Sequence, residues 1–420
     1  MLNLFQLVLQ IAVILVAARV VGFLFQKINQ PQVMGEMVAG ILLGPSLLGW
    51  VAPGVSAALF PPASLSYLNA LSQVGLVVFM FVVGLALDPS ELKGYGHAAV
   101  LTSHVSIVAP FCLGGLTALY LYPRLSDDGV TFTGFALFMG SAMSITAFPV
   151  LARILSERGL VRSRMGTMAI ACAAVDDVTG WCILAYIVVL VRVSHAGHPA
   201  WVTIAGSLAY VALMLFGVRR ILPAFERAFR KRDRLSDDLV AVIVVLVLTS
   251  ALATEWLGIH LLFGAFLMGA IMPKTPEFTR YLLHKFESVT VVLLLPLFFA
   301  FTGLRTRIGV GGGGSIWLYS AIVIVVAITG KLGGSMLAAR LAGMPWRESA
   351  SLGILMNTRG LMELVILNIG LDIGVISPVM FSIMVLMALV TTFMTTPLLE
   401  WVYPARLFRA QLDEVHKNVA

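Results

Sequence analysis

Residues Met165–Leu190 read MGTMAIACAAVDDVTGWCILAYIVVL, a stretch apolar and long enough to cross a bilayer, yet Asp176 and Asp177 sit side by side within it. With Arg164 and Arg192 as its ends, the helix would be roughly 42 Å long at about 1.5 Å per residue, and the acids would lie roughly 18 Å from the first end. That is close to the middle of a hydrocarbon layer about 30 Å thick. A charge at that depth costs roughly 2.5–3.5 kcal/mol on insertion scales. Such carboxyls mark an ion or proton path or, for a single Asp, a protonated hydrogen bond between helices. Neighbours on a helix point about 100° apart. The two acids therefore have different surroundings, one able to face a wet cavity and the other a protein partner.

Composition places this stretch in a membrane protein rather than at the surface of a soluble one. The chain is 59% hydrophobic and 12% charged, against about 25% charged for a soluble domain, and its mean hydropathy is +0.97. The fold class expected is an all-α polytopic membrane protein. No basic, water-exposed domain is present to bind nucleic acid. Cys112, Cys172 and Cys182 all lie in apolar segments and read as small buried hydrophobes, without a disulfide framework or metal-ligand spacing. No cofactor motif is found, and Gly311–Gly314 is a linker with no strand before it. An intramembrane protease would need HExxH or GxSxG, and neither occurs. The N-terminal MLNLFQLVLQ lacks a basic leader and reads as the first span, not a cleaved signal.

Hydropathy gives about thirteen spans, at roughly 3–25, 31–50, 64–87, 95–122, 131–154, 164–191, 200–222, 238–255, 258–273, 284–304, 315–340, 347–370 and 376–402. With the N-terminus outside, 21 of the 28 basic residues fall on the cytoplasmic side, 4 outside (Arg124, Arg192, Arg305, Arg307) and 3 within spans (Arg19, Lys331, Arg359). The positive-inside rule favours that orientation, with the C-terminus cytoplasmic and the protein expected in a bacterial inner membrane. The basic segment 219–238 is partly amphipathic and is expected to lie on the membrane surface.

Two spans are interrupted. The fifth contains GSAMSITAFPVLARIL, with Ser144 and Thr146 just before Pro149, and the twelfth contains GILMNTRGLMELVILNIG, where Asn357, Thr358 and Gly360 break an apolar run. Proline removes a backbone donor and pushes the preceding residue toward an extended shape. Unwound backbone at membrane depth persists only where protein buries it or a cavity lies beside it. Breaks about seven spans apart enter from opposite sides, the layout of an inverted repeat with two crossed discontinuous helices. On this reading residues 1–403 form one exchanger domain, with repeat one at about 1–192, a linker helix at about 200–222 and repeat two at about 236–403. Residues 404–420 are a short cytoplasmic tail. The plainer alternative is a simple kink at Pro149 and a helix–helix contact at Asn357.

Three further charges lie inside spans. Lys331 either snorkels toward Arg340, a reach of roughly 13 Å along the helix, or pairs with one Asp of the sixth span. Arg359 and Glu363, four residues apart, can share a helix face and neutralise each other. Glu36 is expected at the interface near the inner end of span two. Asp88, before Pro89 and three residues from Glu91, reads as a helix start. His195, His198 and His260 receive no role.

The motifs MGEMVAGILLGPSLLGW, MFVVGLALDP, SITAFPVLARILSERGL, AAVDDVTGW, LFGAFLMGAIMP, LPLFFAFTGLRT and NTRGLMELVILNIG, in this order over about residues 5–403, resemble the monovalent cation:proton antiporter-2 family. The last is similar to that of the plant cation/H+ exchangers. The resemblance implies a thirteen-helix fold with a dimerisation domain and a mobile core, a homodimer, and exchange of a monovalent cation for H+. It matches Asp177 to the ion- and proton-carrying acid and Asp176 to an acid paired with lysine, here Lys331. It places Na+ or K+ at Asp177, Asp176, Thr146 and Ser144, with Asn357 and Thr358 on the second broken helix. The paired acids favour Na+, and the plant-like twelfth span leaves K+ open. The rival functions are a cation channel, usually built from rings of charges or carbonyls in several subunits, and a sodium-coupled symporter of the bile-acid type, which would carry an organic substrate.

Overall fold

The computed structural model describes residues 4–87, 97–158, 160, 163–193, 200–230, 235–308 and 314–404. The helix start at Asp88 and Glu91, His195 and His198, the basic residues 231–234, the glycines 311–313 and the tail 405–420 lie outside them. Among the described residues the chain is helical, with no strand.

In chain order the helices are α1 (Leu4–Lys27), α2 (Gln32–Leu43), α3 (Pro62–Ala86), α4 (His97–Leu125), α5 (Phe132–Ser144), α6 (Phe148–Glu157), α7 (Arg164–Val193) and α8 (Ala200–Ala212). They continue as α9 (Pro223–Arg230), α10 (Asp237–Trp256), α11 (Leu261–Ile271), α12 (Pro276–Val289), α13 (Leu295–Arg305), α14 (Gly314–Ile328), α15 (Gly334–Leu341), α16 (Trp346–Met356), α17 (Leu361–Asp372) and α18 (Pro378–Val402). Short π segments join α12 to α13 and α14 to α15, so each pair runs on as one rod. Local chemistry sets several starts. The Thr131 side chain accepts from Gly134 N before α5, Ser236 caps α10 and Ser377 caps α18. Pro62, Pro276 and Pro378 sit in the first turns of their helices, where the missing N–H costs nothing.

Among the described residues eleven helical stretches are long and apolar enough to cross a membrane, or twelve when α16 and α17, bent by 41° at their break, count as one span. The expected total of thirteen is not confirmed: the ninth expected span is α11, a shorter apolar helix of 11 residues. The chain after it runs through Met272 and Pro273 and restarts at Pro276. At 1.5 Å per residue, 11 residues reach about half the hydrocarbon thickness. Glycines let this short helix dock closely: a Cβ on Gly84 of α3 would lie 2.1 Å from Phe266 O, and one on Gly269 would lie 2.2 Å from Phe81 O.

The segment expected on the membrane surface contains α9, which folds back onto protein. Phe225 and Phe229 are buried, and the Phe229 ring packs 5.7 Å from that of Phe278 and 5.2 Å from that of Tyr281. Glu36 is buried by protein. It pairs with Arg19 at 3.5 Å and accepts a hydrogen bond from Gln32, which also accounts for the charge inside span one. Of the three cysteines expected to be buried, Cys172 is, whereas Cys112 and Cys182 are exposed. Large apolar side chains of α1 and α10 are exposed, with Trp50, Trp256 and Trp401 exposed at helix ends. That is the surface a bilayer and its interfaces accept. In contrast, every residue from 351 to 370 is buried. The second broken span runs through the protein interior, where unwound backbone is tolerated.

Candidate functional site

The site is built where the two interruptions meet. Helix α5 stops at Ser144, Ile145 and Ala147 are extended, and α6 begins with Pro149 in its first turn. Pro149 therefore starts the second half-helix rather than kinking a continuous one. In the twelfth span, α16 stops at Met356 and α17 begins at Leu361. The breaks touch directly. Ala147 N donates to Thr358 O at 2.9 Å, and Thr146 Oγ1 lies 2.9 Å from Met356 O. A Cβ on Gly360 would lie 2.7 Å from a Val150 methyl and 3.2 Å from Ala147 Cβ, so only glycine permits this approach.

A half-helix ending inside a membrane leaves its last carbonyls without donors and concentrates partial negative charge there. Two buried cations answer that charge. Arg359, fully buried, donates from Nη1 to Ala142 O and from Nη2 to Met143 O, each at 2.5 Å. Lys331, also fully buried, donates to Ser144 O. The three final carbonyls of α5 are thus met by two side chains from other spans.

Lys331 does not snorkel. It lies in the π turn Thr329–Gly333 and reaches Asp176 Oδ2 at 2.5 Å and Ser106 O at 2.9 Å. Ser106 O would normally accept from residue 110, but Pro110 has no N–H, so the ammonium fills that gap. Asp176 has further donors. Ser106 Oγ lies 2.9 Å from Oδ1, and Thr146 Oγ1 lies 2.9 Å from Oδ2. Thr146 has one hydroxyl proton for two acceptors, Asp176 Oδ2 and Met356 O, and serves one at a time.

Asp177 is built differently. It is 6% exposed, and its Oδ1 is buried with no hydrogen-bond partner among the described residues. Asn357 Oδ1 and Thr358 Oγ1 are also buried without partners. Unmet acceptors are rare in protein interiors and call for a ligand, water or ion. The Asn357 amide only reaches Met394 Sδ, at 3.9 Å. Ser144 is turned away from the acids: its hydroxyl lies 2.6 Å from Gly140 O and 3.0 Å from Ile107 O. Thr146 serves Asp176, not Asp177. Glu363, in the first turn of α17, pairs at 3.0 Å with Arg359, which lies in the break before that helix and not on its face. No group of three or more His, Cys, Asp or Glu side chains gathers among the described residues. A cation here would therefore draw on hydroxyl, amide and backbone oxygens beside one or two carboxylates.

Two contributors escaped the sequence reading. Ser106 holds Asp176, and Thr392 clamps the second break by accepting from Arg359 N and donating to Arg359 O, both at 2.8 Å. Hydroxyl residues are common in membrane helices, where they bond their own backbone. The single hint for Ser106 is its place four residues before Pro110.

The family described as sodium/hydrogen exchanger, transmembrane, matches residues 12–401. The chain belongs to the sodium/hydrogen exchanger family. This is a family of transporters, not enzymes, and the protein is a multi-pass integral membrane exchanger-family member. It is 43% identical over 396 residues to the Na(+)/H(+) antiporter NhaS4 of Synechocystis sp., covering 94% of this chain and 96% of that protein. It is 41% identical over 414 residues to cation/H(+) antiporter 17 of Arabidopsis thaliana, covering 98% of this chain but 50% of the plant protein. It is 32% identical over 402 residues to K(+)/H(+) antiporter 1 of Saccharomyces cerevisiae, covering 94% of this chain and 46% of the yeast protein. The exchanger chain thus spans nearly all of the cyanobacterial relative and about half of the plant and yeast ones. Its fold is similar to the structure of the sodium proton antiporter MjNhaP1 from Methanocaldococcus jannaschii at pH 8, with TM-score 0.68 and 15% identity over 97% of this chain and 98% of that one.

Proposed function

We propose that this exchanger carries Na+ in one direction and H+ in the other, with Asp177 binding each in turn. The observation that carries this reading is the contrast between the acids. Asp176 is surrounded by Lys331, Ser106 and Thr146, whereas Asp177 has a buried oxygen with no donor. A dehydrated monovalent cation needs oxygen ligands. Asp177, Asn357 Oδ1 and Thr358 Oγ1 are acceptors with capacity to spare, and Thr146 Oγ1 and nearby unwound carbonyls complete the candidate set, whereas both Ser144 oxygens are engaged by other groups. A proton on Asp177 removes the charge that attracts the cation, and the cation expels the proton. An empty, ionised Asp177 cannot move through the bilayer centre cheaply, since an unpaired buried charge costs several kcal/mol on the order expected for buried ions. That penalty makes cation and proton fluxes obligatory partners.

The crossed half-helices support alternating access rather than a channel, because a pair of interruptions packed on each other gives a midplane site that two sides can reach in turn. A homodimer, a cytoplasmic C-terminus and a single exchanger unit over residues 1–403 belong to the same proposal. K+ is the second reading for the cation, favoured by the similarity to a protein named as a K(+)/H(+) antiporter. The test is dye-reported proton flux in proteoliposomes on addition of Na+, K+ or Li+. Saturable, Na+-driven proton movement in the wild type supports the proposal. Cation flux without proton counter-movement contradicts it.

A further inference from the structure

A cavity of about 620 Å³ opens at the end of the bundle where α13 stops, remote in sequence from the acid pair. Arg305 and Arg307 lie on one side of it, and Ile316, Trp317, Val379 and Ile383 form an apolar wall from the first turns of α14 and α18. Arg305 is the last residue of α13, Trp317 the fourth of α14 and Val379 the second of α18. The cavity therefore sits at the level of helix ends, where lipid headgroups meet water. Trp317 is 56% exposed and Val379 40% exposed, so the apolar wall is open toward the bilayer side.

The two arginines are hard to reconcile with a cation route, since each repels the transported ion. Arg305 is already occupied, pairing with Asp372 at 2.7 Å and donating to Asn368 Oδ1 at 3.1 Å. Arg307 is different. Its backbone N–H donates to Ser382 Oγ at 3.0 Å, but its side chain is exposed and makes no ion pair among the described residues. A free guanidinium beside an apolar wall at headgroup depth complements an anionic amphiphile: phosphate on the cation, acyl chain on the wall. We propose that this cavity binds an anionic phospholipid of the adjacent leaflet, with Arg307 holding the phosphodiester and Ile316, Trp317, Val379 and Ile383 receiving the upper acyl chain.

The test reads lipid retention, so it succeeds or fails separately from the exchange proposal. The purified full chain is mixed with equal amounts of phosphatidylglycerol and phosphatidylcholine of matched acyl length, and retained lipid is measured by native mass spectrometry. The wild type should retain phosphatidylglycerol in excess. Arg307→Gln, at an exposed position that leaves the packing intact, should lower that excess by about fivefold, the factor one basic residue near an anionic surface supplies. Ile383→Trp, which fills the cavity, should release both lipids. Equal retention of the two lipids by the wild type would overturn the proposal, as would an Arg307→Gln protein with undiminished preference. Displacement of phosphatidylglycerol by millimolar inorganic phosphate would also overturn it, by showing a free-anion site in place of a lipid site.

Discussion

Lys331 and Arg359 are the two fully buried cations at the crossing, and they share one task while differing in another. Both satisfy carbonyls at the end of α5. Arg359, in the break before α17, has its acid four residues on at Glu363 within the same broken span, and Arg359 Nε and Glu363 Oε1 stay buried without a hydrogen-bond partner among the described residues. Lys331 has its acid 155 residues away at Asp176, and that acid is bonded through the backbone to Asp177. One pair is a fastening. The other is a fastening attached to the carboxylate proposed to bind cation and proton in turn. A buried ion pair is not by itself a sign of transport, even with unmet atoms of its own; what sets the second apart is that its acid adjoins a second buried carboxylate with no ion pair among the described residues.

Mutations ordered by their expected effect on exchange test this distinction. Asp177→Asn should reduce cation-driven proton flux to background in proteoliposomes while size-exclusion behaviour and helical content stay those of the wild type. Lys331→Met comes next. It leaves Asp176 without its cation, and breaking a buried pair by removing one partner costs about 3–5 kcal/mol. Tm should fall, and the surviving exchange should show an altered cation dependence. Adding Asp176→Asn should recover part of the stability without restoring normal exchange, which calorimetry and flux assays on the same preparations would show.

Arg359→Met should destabilise to a similar degree, about 3–5 kcal/mol, because Glu363 loses its partner. Exchange per folded molecule should keep its cation KM; a large KM change would place this pair in the transport step and erase the distinction. Ser106→Ala is the smallest change. It removes one donor to Asp176, worth about 1 kcal/mol of stability, and should shift the cation dependence in the same direction as Lys331→Met but by less. An opposite shift would show that Ser106 does not act through Asp176.

The parts of the site legible in the sequence were those whose physics is expensive. Asp176, Asp177 and Lys331 stand out because charge at mid-membrane is costly, and the two breaks stand out because Pro149 and the Asn357–Gly360 run cannot continue a helix. The Arg359–Glu363 pairing was expected from the spacing on one helix face, and it forms with Arg359 in the break before the helix instead. What stayed hidden is cheap or long-range. Ser106 and Thr392 look like any hydroxyl in a helix until the structure brings them to Asp176 and to the second break. The choice of Asp176 over Asp177 as the partner of Lys331 depends on tertiary packing, and only the resemblance pointed to it. Ser144 was expected beside the ion, whereas its hydroxyl bonds the Gly140 and Ile107 carbonyls and its own carbonyl accepts from Lys331. Hydropathy also counted α11 as a full span, because mean hydropathy does not report where a helix stops, here at Ile271 before Pro273.

The most direct measurement is proton release on Na+ binding, by isothermal calorimetry in two buffers of different ionisation enthalpy. The wild type should release protons as the cation binds, Asp176→Asn should still do so, and Asp177→Asn should give none. Proton release on Na+ binding by Asp177→Asn, or binding by the wild type with no release, would contradict competition at Asp177.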